Sequence, residues 1–239
     1  MTPPILITGA AQRIGLALAK HFIAQGQAVI ITYRTRHEAV DSLEQQGVTC
    51  LYADFSTDEG INNFITLLKS HTDSLRAVIH NASSWDCEAN NPHFEQLFDN
   101  MMRIHAKTPY LVNLHCADLL LNYQASHAKP ADIIHLTDYV VETGSPKHLA
   151  YAASKAALDN LTKSFSAKYA PNIKVNSVAP SLIIFNQHDD EQYRAKTLKK
   201  SLMGIEPGCQ EIINSIDLLL NSHYITGRAL PVDGGRNLK

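Results

Sequence analysis

The sequence is poor in charge of either sign. Charged residues make up 18% of the 239 residues, and 21 lysines and arginines against 23 aspartates and glutamates leave a formal net charge of −2. No stretch contains five like charges in a row. We therefore expect no nucleic acid and no membrane as a partner, because accumulated positive charge dominates binding to both. The low charged fraction also favours an oligomer in which subunit contacts cover part of the surface.

Cysteine, metal-binding motifs and long apolar runs are also scarce. Cys50, Cys87, Cys116 and Cys209 lie far apart, and the 12 histidines form no HExxH pattern. Neither a disulfide framework nor a metal site is expected. No run approaches the roughly 18 apolar residues that a membrane helix needs, and the start lacks the pattern of a signal peptide. These absences predict a soluble, cytoplasmic protein.

Short β-branched runs alternate with longer segments of helical periodicity along the whole chain. The predicted strands are Ile5–Thr8, Ala28–Tyr33, Thr49–Tyr52, Ala77–His80, Asp132–Thr137, Lys174–Val178 and Ala229–Val232. Strands this apolar, separated by helices, predict an α/β fold: a single domain over residues 1–239 with a doubly wound parallel seven-stranded sheet of the Rossmann type and helices on both faces. The polar segment 181–208 interrupts this alternation, and we interpret it as a substrate lid or as an irregular surface excursion.

A glycine-containing loop joins the first strand to the first helix. It runs from Thr8 to Gly15 and contains Gly9, so it lets backbone N–H groups and a helix N-terminus approach a pyrophosphate. A plain tight turn would have the same composition. The strand before it and the helix after it favour a dinucleotide site.

The end of the second strand indicates which dinucleotide binds. An NAD site usually has a carboxylate there, whereas this chain has Tyr33, Arg34 and Thr35. Arg34 is suited to pair with a 2′-phosphate, and Arg13 in the glycine loop adds a second cation. The pattern favours NADPH; the alternative is an arginine that is merely solvated at a strand end.

A tyrosine and a lysine follow the fifth strand at a spacing of four residues. Tyr151 and Lys155 therefore share one face of a helix that begins near Leu149. A nearby ammonium group is expected to lower the pKa of the phenol towards neutrality and make it a usable proton donor.

Together these motifs resemble the short-chain dehydrogenase/reductase family over essentially the whole chain. The matching segments are the Thr8–Gly15 loop, Asp54, His80–Ser83, Tyr151 with Lys155, Asn176–Pro180, and Thr226–Gly235. The resemblance implies that Asp54 holds the adenine, Asn81 and Ala82 the central part of the cofactor, and Lys155 the nicotinamide ribose. The cofactor-binding set it implies is Gly9, Arg13, Ile14, Gly15, Tyr33, Arg34, Thr35, Asp54, Phe55, Asn81, Ala82, Ser83, Lys155 and Pro180.

The chain departs from the usual family pattern at the position where a serine normally binds a substrate carbonyl. That position, thirteen residues before Tyr151, is Asp138. An ionised carboxylate cannot donate a hydrogen bond to a ketone, so a ring rich in N–H groups is better served. The alternative is that Asp138 only pairs with Lys155 while Thr137 supplies the hydroxyl.

Further departures resemble the pteridine reductase branch of the family. They are Arg13 and Ser83, where glycines are usual, and Trp85, which either stacks on a flat ring or packs in the core. The resemblance makes Tyr151, Lys155 and Asp138 the catalytic residues and Arg13, Ser83, Trp85, Asp138 and Tyr151 the substrate-binding set. His105 stands where the family usually has an asparagine, and it is either a proton shuttle or a helix histidine with ordinary hydrogen bonds.

The expected reaction is reduction of the N5=C6 bond of a 7,8-dihydropterin, with dihydromonapterin and dihydrofolate as candidate substrates. Hydride would reach C6 from NADPH and a proton would reach N5. The alternatives are a carbonyl reductase of the 3-oxoacyl thioester type and a catalytically idle NADP-binding module. The resemblance also implies a homotetramer whose interface is formed by the helices after Asn100 and Leu149.

Overall fold

Seven parallel strands form the centre of the molecule in the computed structural model, which describes residues 2–239. In chain order they are β1 Ile5–Ile7, β2 Val29–Tyr33, β3 Thr49–Tyr52, β4 Ala77–His80, β5 Ala131–Leu136, β6 Ile173–Pro180 and β7 Ala229–Val232. Each lies within two residues of the predicted bounds. The predicted doubly wound α/β fold is therefore confirmed.

Ten helices connect and cover the strands. They are α1 Arg13–Ala24, α2 Glu38–Gln45, α3 Asp58–His71, α4 Phe94–Met102, α5 Thr108–His115, α6 Ala117–His127, α7 Val140–Thr143, α8 Leu149–Tyr169, α9 Glu191–Leu198 and α10 Gln210–Asn221. One π-helical turn, Arg103–Lys107, joins α4 to α5. Helix α8 begins at Leu149, as the sequence predicts.

Alternate side chains of the strands pack into two hydrophobic cores, one on each face of the sheet. In β1, Leu6 packs with the helices α3, α5, α6 and α8, whereas Ile5 and Ile7 pack with α1 and α10. All three side chains are at most 2% exposed. Burial on both faces explains why β1 is apolar throughout instead of alternating with polar residues.

The strand order places a crevice at the centre of one edge of the sheet. The order is β3-β2-β1-β4-β5-β6-β7, so the chain builds outward from β1 to β3 and then returns to place β4 beside β1. Connections on the two sides of β1 and β4 leave in opposite directions, which opens a crevice outside the carboxyl ends of these strands. Most of the predicted site residues lie at or just after the carboxyl ends of β1 to β6, whereas Tyr151 and Lys155 lie on α8.

The segment 181–208 has one regular element, the eight-residue helix α9. Its start is anchored by Ile183, which is buried in the core that contains α10. Near its end, the backbone N–H groups of Leu202 and Met203 donate to the carbonyl of Gly234 at 2.9 and 3.1 Å. The segment therefore packs against the loop after β7, and its action as a lid stays a prediction.

Candidate active site

The glycine loop is held tightly against the end of β4. Gly9 has φ +63°, and a Cβ atom there would lie 2.8 Å from the Cα of Ala82. Its N–H donates to the Thr32 hydroxyl at 2.9 Å. A Cβ at Gly15 would lie 2.5 Å from the side-chain nitrogen of Asn81. Close packing therefore requires glycine at both positions, and at Gly9 the backbone conformation favours it as well.

Asn81 braces the ends of β1 and β4. Its side-chain amide donates to the carbonyls of Thr8 and Gly9, both at 2.9 Å. The Thr8 hydroxyl accepts from the backbone N–H groups of Asn81 and Ala82, both at 3.0 Å. These bonds fix the floor on which the predicted central part of a dinucleotide would lie.

The N-terminus of α1 points to anion binding. Gln12 precedes the helix and makes no capping bond through its side chain, so the N–H groups of the first turn, including that of Ile14, lack a side-chain cap. Such a terminus carries a partial positive charge and suits a phosphate group. No acidic side chain lies in this first turn.

Arg13 connects the glycine loop to the segment 181–208. It adopts φ +53° where most of the family has glycine. Its guanidinium donates to Asn186 Oδ1 at 2.6 Å and to the carbonyl of Ile184 at 3.1 Å. The side chain thus ties the glycine loop to the segment 181–208, and its predicted contacts with cofactor and pterin stay predictions.

A cavity of about 250 Å³ lies beside the glycine loop. Of the predicted cofactor residues, it brings together Gly9, Tyr33, Arg34, Thr35, Phe55, Ala82 and Ser83. The lining residues that the sequence reasoning missed are Ala11, Gln12, Thr32, His37, Ala53, Ser56, Ser84, Asn100 and Ile104. Most of these are chain neighbours of predicted residues, but Asn100 and Ile104 come from α4 and the π-helical turn and had no sequence signal.

Seven predicted cofactor residues do not line this cavity: Arg13, Ile14, Gly15, Asp54, Asn81, Lys155 and Pro180. Asp54 follows β3 and accepts the backbone N–H of Ser56 at 3.0 Å, a bond that lowers the pKa of its carboxyl group. Pro180 ends β6, and its carbonyl accepts the backbone N–H of Tyr139 at 3.0 Å. Their roles toward a cofactor stay predictions.

The predicted catalytic residues lie together at the end of β5, and two of them are hydrogen-bonded to each other. The hydroxyl of Tyr151 donates to Asp138 Oδ2 at 2.7 Å, and Asp138 Oδ1 accepts the backbone N–H of Val140 at 3.0 Å. Lys155 is buried and donates to the carbonyl of Leu136 at 2.8 Å. The carboxylate of Asp138 therefore bonds to the phenol and not to the ammonium group.

Thr137 does not replace Asp138 in the site. Its side chain is 3% exposed, and its hydroxyl donates to the carbonyl of Val178 at 3.2 Å. Strand alternation turns it away from Tyr151, as expected for the neighbour of a residue that faces the site. The alternative in which Thr137 supplies the substrate hydroxyl is wrong.

Burial controls the protonation of the catalytic group. It lowers the pKa of Lys155 to about 8 and raises the pKa of Asp138. Burial, assisted by the charge of Asp138, also raises the pKa of Tyr151 well above its usual value. The expectation that Lys155 lowers the pKa of Tyr151 is therefore wrong, because it left out desolvation and the neighbouring carboxylate. The phenol stays protonated at neutral pH and serves as a donor.

The loop after β4 docks onto the start of α8. Trp85 is 63% exposed, so it is not a core residue, and its ring lies 4.4 Å from that of His148. The carboxylate of Glu88 accepts the backbone N–H groups of Leu149 and Ala150 at 3.2 and 2.8 Å. Glu88 thus caps, from a distant part of the chain, the helix that carries Tyr151. Neither His148 nor Glu88 was singled out from the sequence.

His105 lies in the π-helical turn beside the catalytic tyrosine. Its ring meets that of Tyr151 edge to face, with centroids 5.3 Å apart. The side chain is 1% exposed and hydrogen-bonded at both ring nitrogens. Burial, together with the charge of Lys155, holds its pKa well below the usual value, so the imidazole is neutral at physiological pH.

Among residues 2–239, no group of three or more histidine, cysteine, aspartate or glutamate side chains is arranged to hold a metal ion. Within the same residues, no helix is both long and apolar enough to cross a membrane.

Three features define a dinucleotide-dependent oxidoreductase. They are the doubly wound parallel sheet, the tight glycine loop, and the Tyr-x-x-x-Lys pair on α8 beside the end of β5. The chain belongs to the short-chain dehydrogenase/reductase family. A model of this family, described as enoyl-(acyl carrier protein) reductase, matches residues 9–237.

Several named relatives are similar over nearly the whole chain. The dihydromonapterin reductase of Klebsiella pneumoniae is 57% identical over 236 residues, which cover 99% of this chain and 97% of the relative. That of Citrobacter koseri is 54% identical with the same coverage.

Among solved structures, the FolM alternative dihydrofolate reductase 1 from Brucella suis in complex with NADP superposes with a TM-score of 0.87 at 22% identity, covering 99% of this chain and 96% of that one. An acetoin dehydrogenase from Enterobacter cloacae superposes with a TM-score of 0.84 at 23% identity, covering 100% and 96%. At these identities, the structural likeness establishes the fold alone.

Proposed function

We propose that this protein reduces a 7,8-dihydropterin to the tetrahydro form with NADPH. The observation that carries the proposal is the 2.7 Å bond between Tyr151 and Asp138, which puts a carboxylate beside the proton donor where the family usually has a serine. The full-length relatives at 54–57% identity, which are named dihydromonapterin reductase, support the same substrate class.

The charge around the second strand supports NADPH over NADH. Arg34 lines the cavity beside the glycine loop, whereas the neighbouring Arg36 forms ion pairs with Asp41 and Glu44. Arg34 forms no ion pair within residues 2–239, so its guanidinium is free for a 2′-phosphate. The Brucella suis structure with NADP is in line with this choice.

NADPH, when bound, supplies the hydride that reduces C6 of the pterin. Lys155 would hold the nicotinamide ribose and stabilise the negative charge of Asp138. Tyr151 and Asp138 would orient the ring and provide the proton that N5 acquires. Burial raises the pKa of both, so the pair keeps a proton near neutral pH. Ser83, Trp85 and Arg13 would clamp the ring.

The substrate is tested by following NADPH oxidation with dihydromonapterin, dihydrobiopterin and dihydrofolate. We expect turnover with at least one of them, and no turnover with any would refute the proposal. A 3-oxoacyl thioester serves as the competing substrate, because the carbonyl reductase alternative shares Tyr151 and Lys155. Tight NADPH binding without turnover of any substrate would instead support the idle module.

The exposed faces of α4 and α8 support a homotetramer. Phe94, Phe98 and Leu149 are 60%, 46% and 61% exposed. Exposed apolar side chains clustered in this way are typical of subunit contacts. Sedimentation equilibrium tests the assembly, and a Phe98→Glu variant should dissociate it.

We place the enzyme in the cytoplasm, where NADPH and dihydropterins meet.

A further inference from the structure

One buried imidazole, that of His105, bonds both to the loop after β4 and to the catalytic helix α8. His105 Nε2 lies 2.8 Å from the Ser83 hydroxyl and 3.3 Å from the backbone nitrogen of Ser84. Its Nδ1 lies 2.8 Å from the hydroxyl of Ser154, which in turn donates to the carbonyl of Tyr151 at 2.7 Å. His105 thus connects the residues that precede Trp85 to the helix turn that carries the phenol.

These contacts decide which ring nitrogen carries the hydrogen. The backbone N–H of Ser84 is only a donor, so Nε2 has to accept. The Ser154 hydroxyl gives its hydrogen to the Tyr151 carbonyl, so it accepts from Nδ1. Only the neutral ring with hydrogen on Nδ1 satisfies both ends of the chain, and the nearby charge of Lys155 further disfavours a second proton.

The same assignment fixes the polarity of Ser83. Its hydroxyl hydrogen is committed to Nε2 at 2.8 Å, since the other acceptor within reach, the Ser84 carbonyl, lies 3.4 Å away. The oxygen then has its lone pairs free. Ser83 is exposed and lines the cavity beside the glycine loop, so this oxygen is available to a bound molecule.

We infer that His105 is a positioning residue: its neutral imidazole fixes Ser83 relative to Tyr151 and makes the Ser83 oxygen a hydrogen-bond acceptor for an N–H group of the substrate ring. The inference rests on the proposed dihydropterin substrate, whose ring carries several N–H groups. It assigns His105 no role as a proton shuttle, because neither nitrogen of the neutral ring is free to exchange a proton with the substrate.

The tautomer is tested directly by NMR on protein with ¹⁵N-labelled histidine, with the His105→Phe spectrum used to assign the signal. We expect the neutral form with hydrogen on Nδ1, unchanged between about pH 6 and pH 8. Titration in this range, or hydrogen on Nε2, would overturn the inference. This result does not depend on the identity of the substrate.

The effect on the substrate is tested by steady-state kinetics of His105→Phe, Ser83→Ala and the double variant. We expect His105→Phe to raise KM for the dihydropterin about ten-fold, the size of one lost hydrogen bond, with KM for NADPH changed less than about two-fold. If His105 acts through Ser83, the double variant should raise KM for the dihydropterin no more than the single variant with the larger effect does. Multiplying effects, or an equal loss for NADPH, would contradict positioning.

Two further variants separate positioning from proton transfer and from general damage. His105→Gln keeps an acceptor near Nε2 but cannot shuttle protons, so it should recover most of the affinity; loss equal to that of His105→Phe would contradict the inference. His80→Gln changes another buried histidine, which bonds to Asn113 at 2.8 Å and not to the site. KM of this variant for the dihydropterin should stay within about two-fold of wild type. An increase as large as that of His105→Phe would show that the His105 effect comes from general loss of packing and not from positioning. If wild type reduces no dihydropterin, the proposed function fails instead.

Discussion

The phenol of Tyr151 donates its hydrogen bond to the carboxylate of Asp138, 2.7 Å away, while Lys155 bonds to a backbone carbonyl. Donor and acceptor are both largely buried, and burial raises the pKa of each. A proton is therefore held between two oxygens at the end of β5. This arrangement differs from a phenol activated by lysine alone, and under the proposed function it would supply a proton to a basic nitrogen of the substrate ring.

The pKa of Lys155 predicts how activity depends on pH. Burial lowers it to about 8, so the ammonium form is lost above that pH. Because the positive charge stabilises Asp138, kcat/KM should fall as pH rises through about 8. Lys155→Arg, which stays charged, should move this decline to higher pH. A pH–rate profile of both proteins tests this, and a profile that stays flat in wild type up to about pH 10 would refute it.

The guanidinium of Arg34 leads us to expect that the enzyme prefers NADPH over NADH. Arg34→Ser removes the guanidinium that would pair with the 2′-phosphate, and we expect kcat/KM with NADPH to fall roughly 10- to 100-fold, as for the loss of a charge-assisted bond. Activity with NADH should change little. Arg36→Ser is the matched control, because Arg36 is bound to Asp41 and Glu44. Equal losses in the two variants would show that Arg34 has no special role.

Gly9 predicts a difference between two glycine replacements. Gly9→Ala places a Cβ 2.8 Å from Ala82 at φ +63°, whereas Gly47→Ala meets nothing within 4 Å at a similar φ of +82°. Gly47→Ala should lose about 1 kcal/mol of unfolding free energy through backbone strain, and Gly9→Ala should lose more, because its Cβ also meets the backbone of Ala82. Only Gly9→Ala should also weaken NADPH binding, because the loop must shift. Urea unfolding and NADPH fluorescence titration measure the two effects; equal NADPH affinity in both variants would contradict the packing argument.

A buried histidine pair predicts loss of stability in acid. His80 and His135 share Asn113 through bonds of 2.8 and 3.1 Å. Burial lowers the pKa of His80 to about 4, so the unfolded chain binds its proton first, and stability is lost as pH falls from about 6.5 towards 4. His80 alone should cost about 2 kcal/mol between pH 7 and pH 5.

The check is urea unfolding of wild type and His80→Gln at both pH values. The variant should be less stable at pH 7, because it disturbs a packed core, but it should lose less on acidification. An equal loss in the two proteins would place the acid sensitivity elsewhere.

The fold was predictable because its signals are local. The β-branched runs, the helical periodicity and the glycine loop each lie within a few residues, and burial of both sheet faces makes a central strand such as β1 apolar throughout. The observed strand bounds differ from the predicted ones by at most two residues. The largest difference is at β6, which extends to Pro180 because it pairs there with β7, and no local sequence pattern indicates that pairing.

The site was predictable in its residue types but not in its connections. Tyr151 and Asp138 are identified by spacing, yet the direction of the pKa shift of Tyr151 depends on burial, which the sequence does not show. The bonds of His105 join it to Ser83, 22 residues earlier, and to Ser154, 49 residues later. Such pairs meet only once the sheet has brought β4 and α8 together, so no local motif could have indicated them.

The decisive measurement is the ratio of kcat/KM for a dihydropterin to that for a 3-oxoacyl thioester, in wild type and in Asp138→Ser. Removing the carboxylate should lower dihydropterin reduction by about 100-fold or more, the range found for general acid–base groups, while NADPH binds as before. The ratio should therefore fall by at least that factor. An unchanged rate with the dihydropterin, together with a rise in ketone reduction, would contradict the central role of Asp138 and favour a carbonyl reductase.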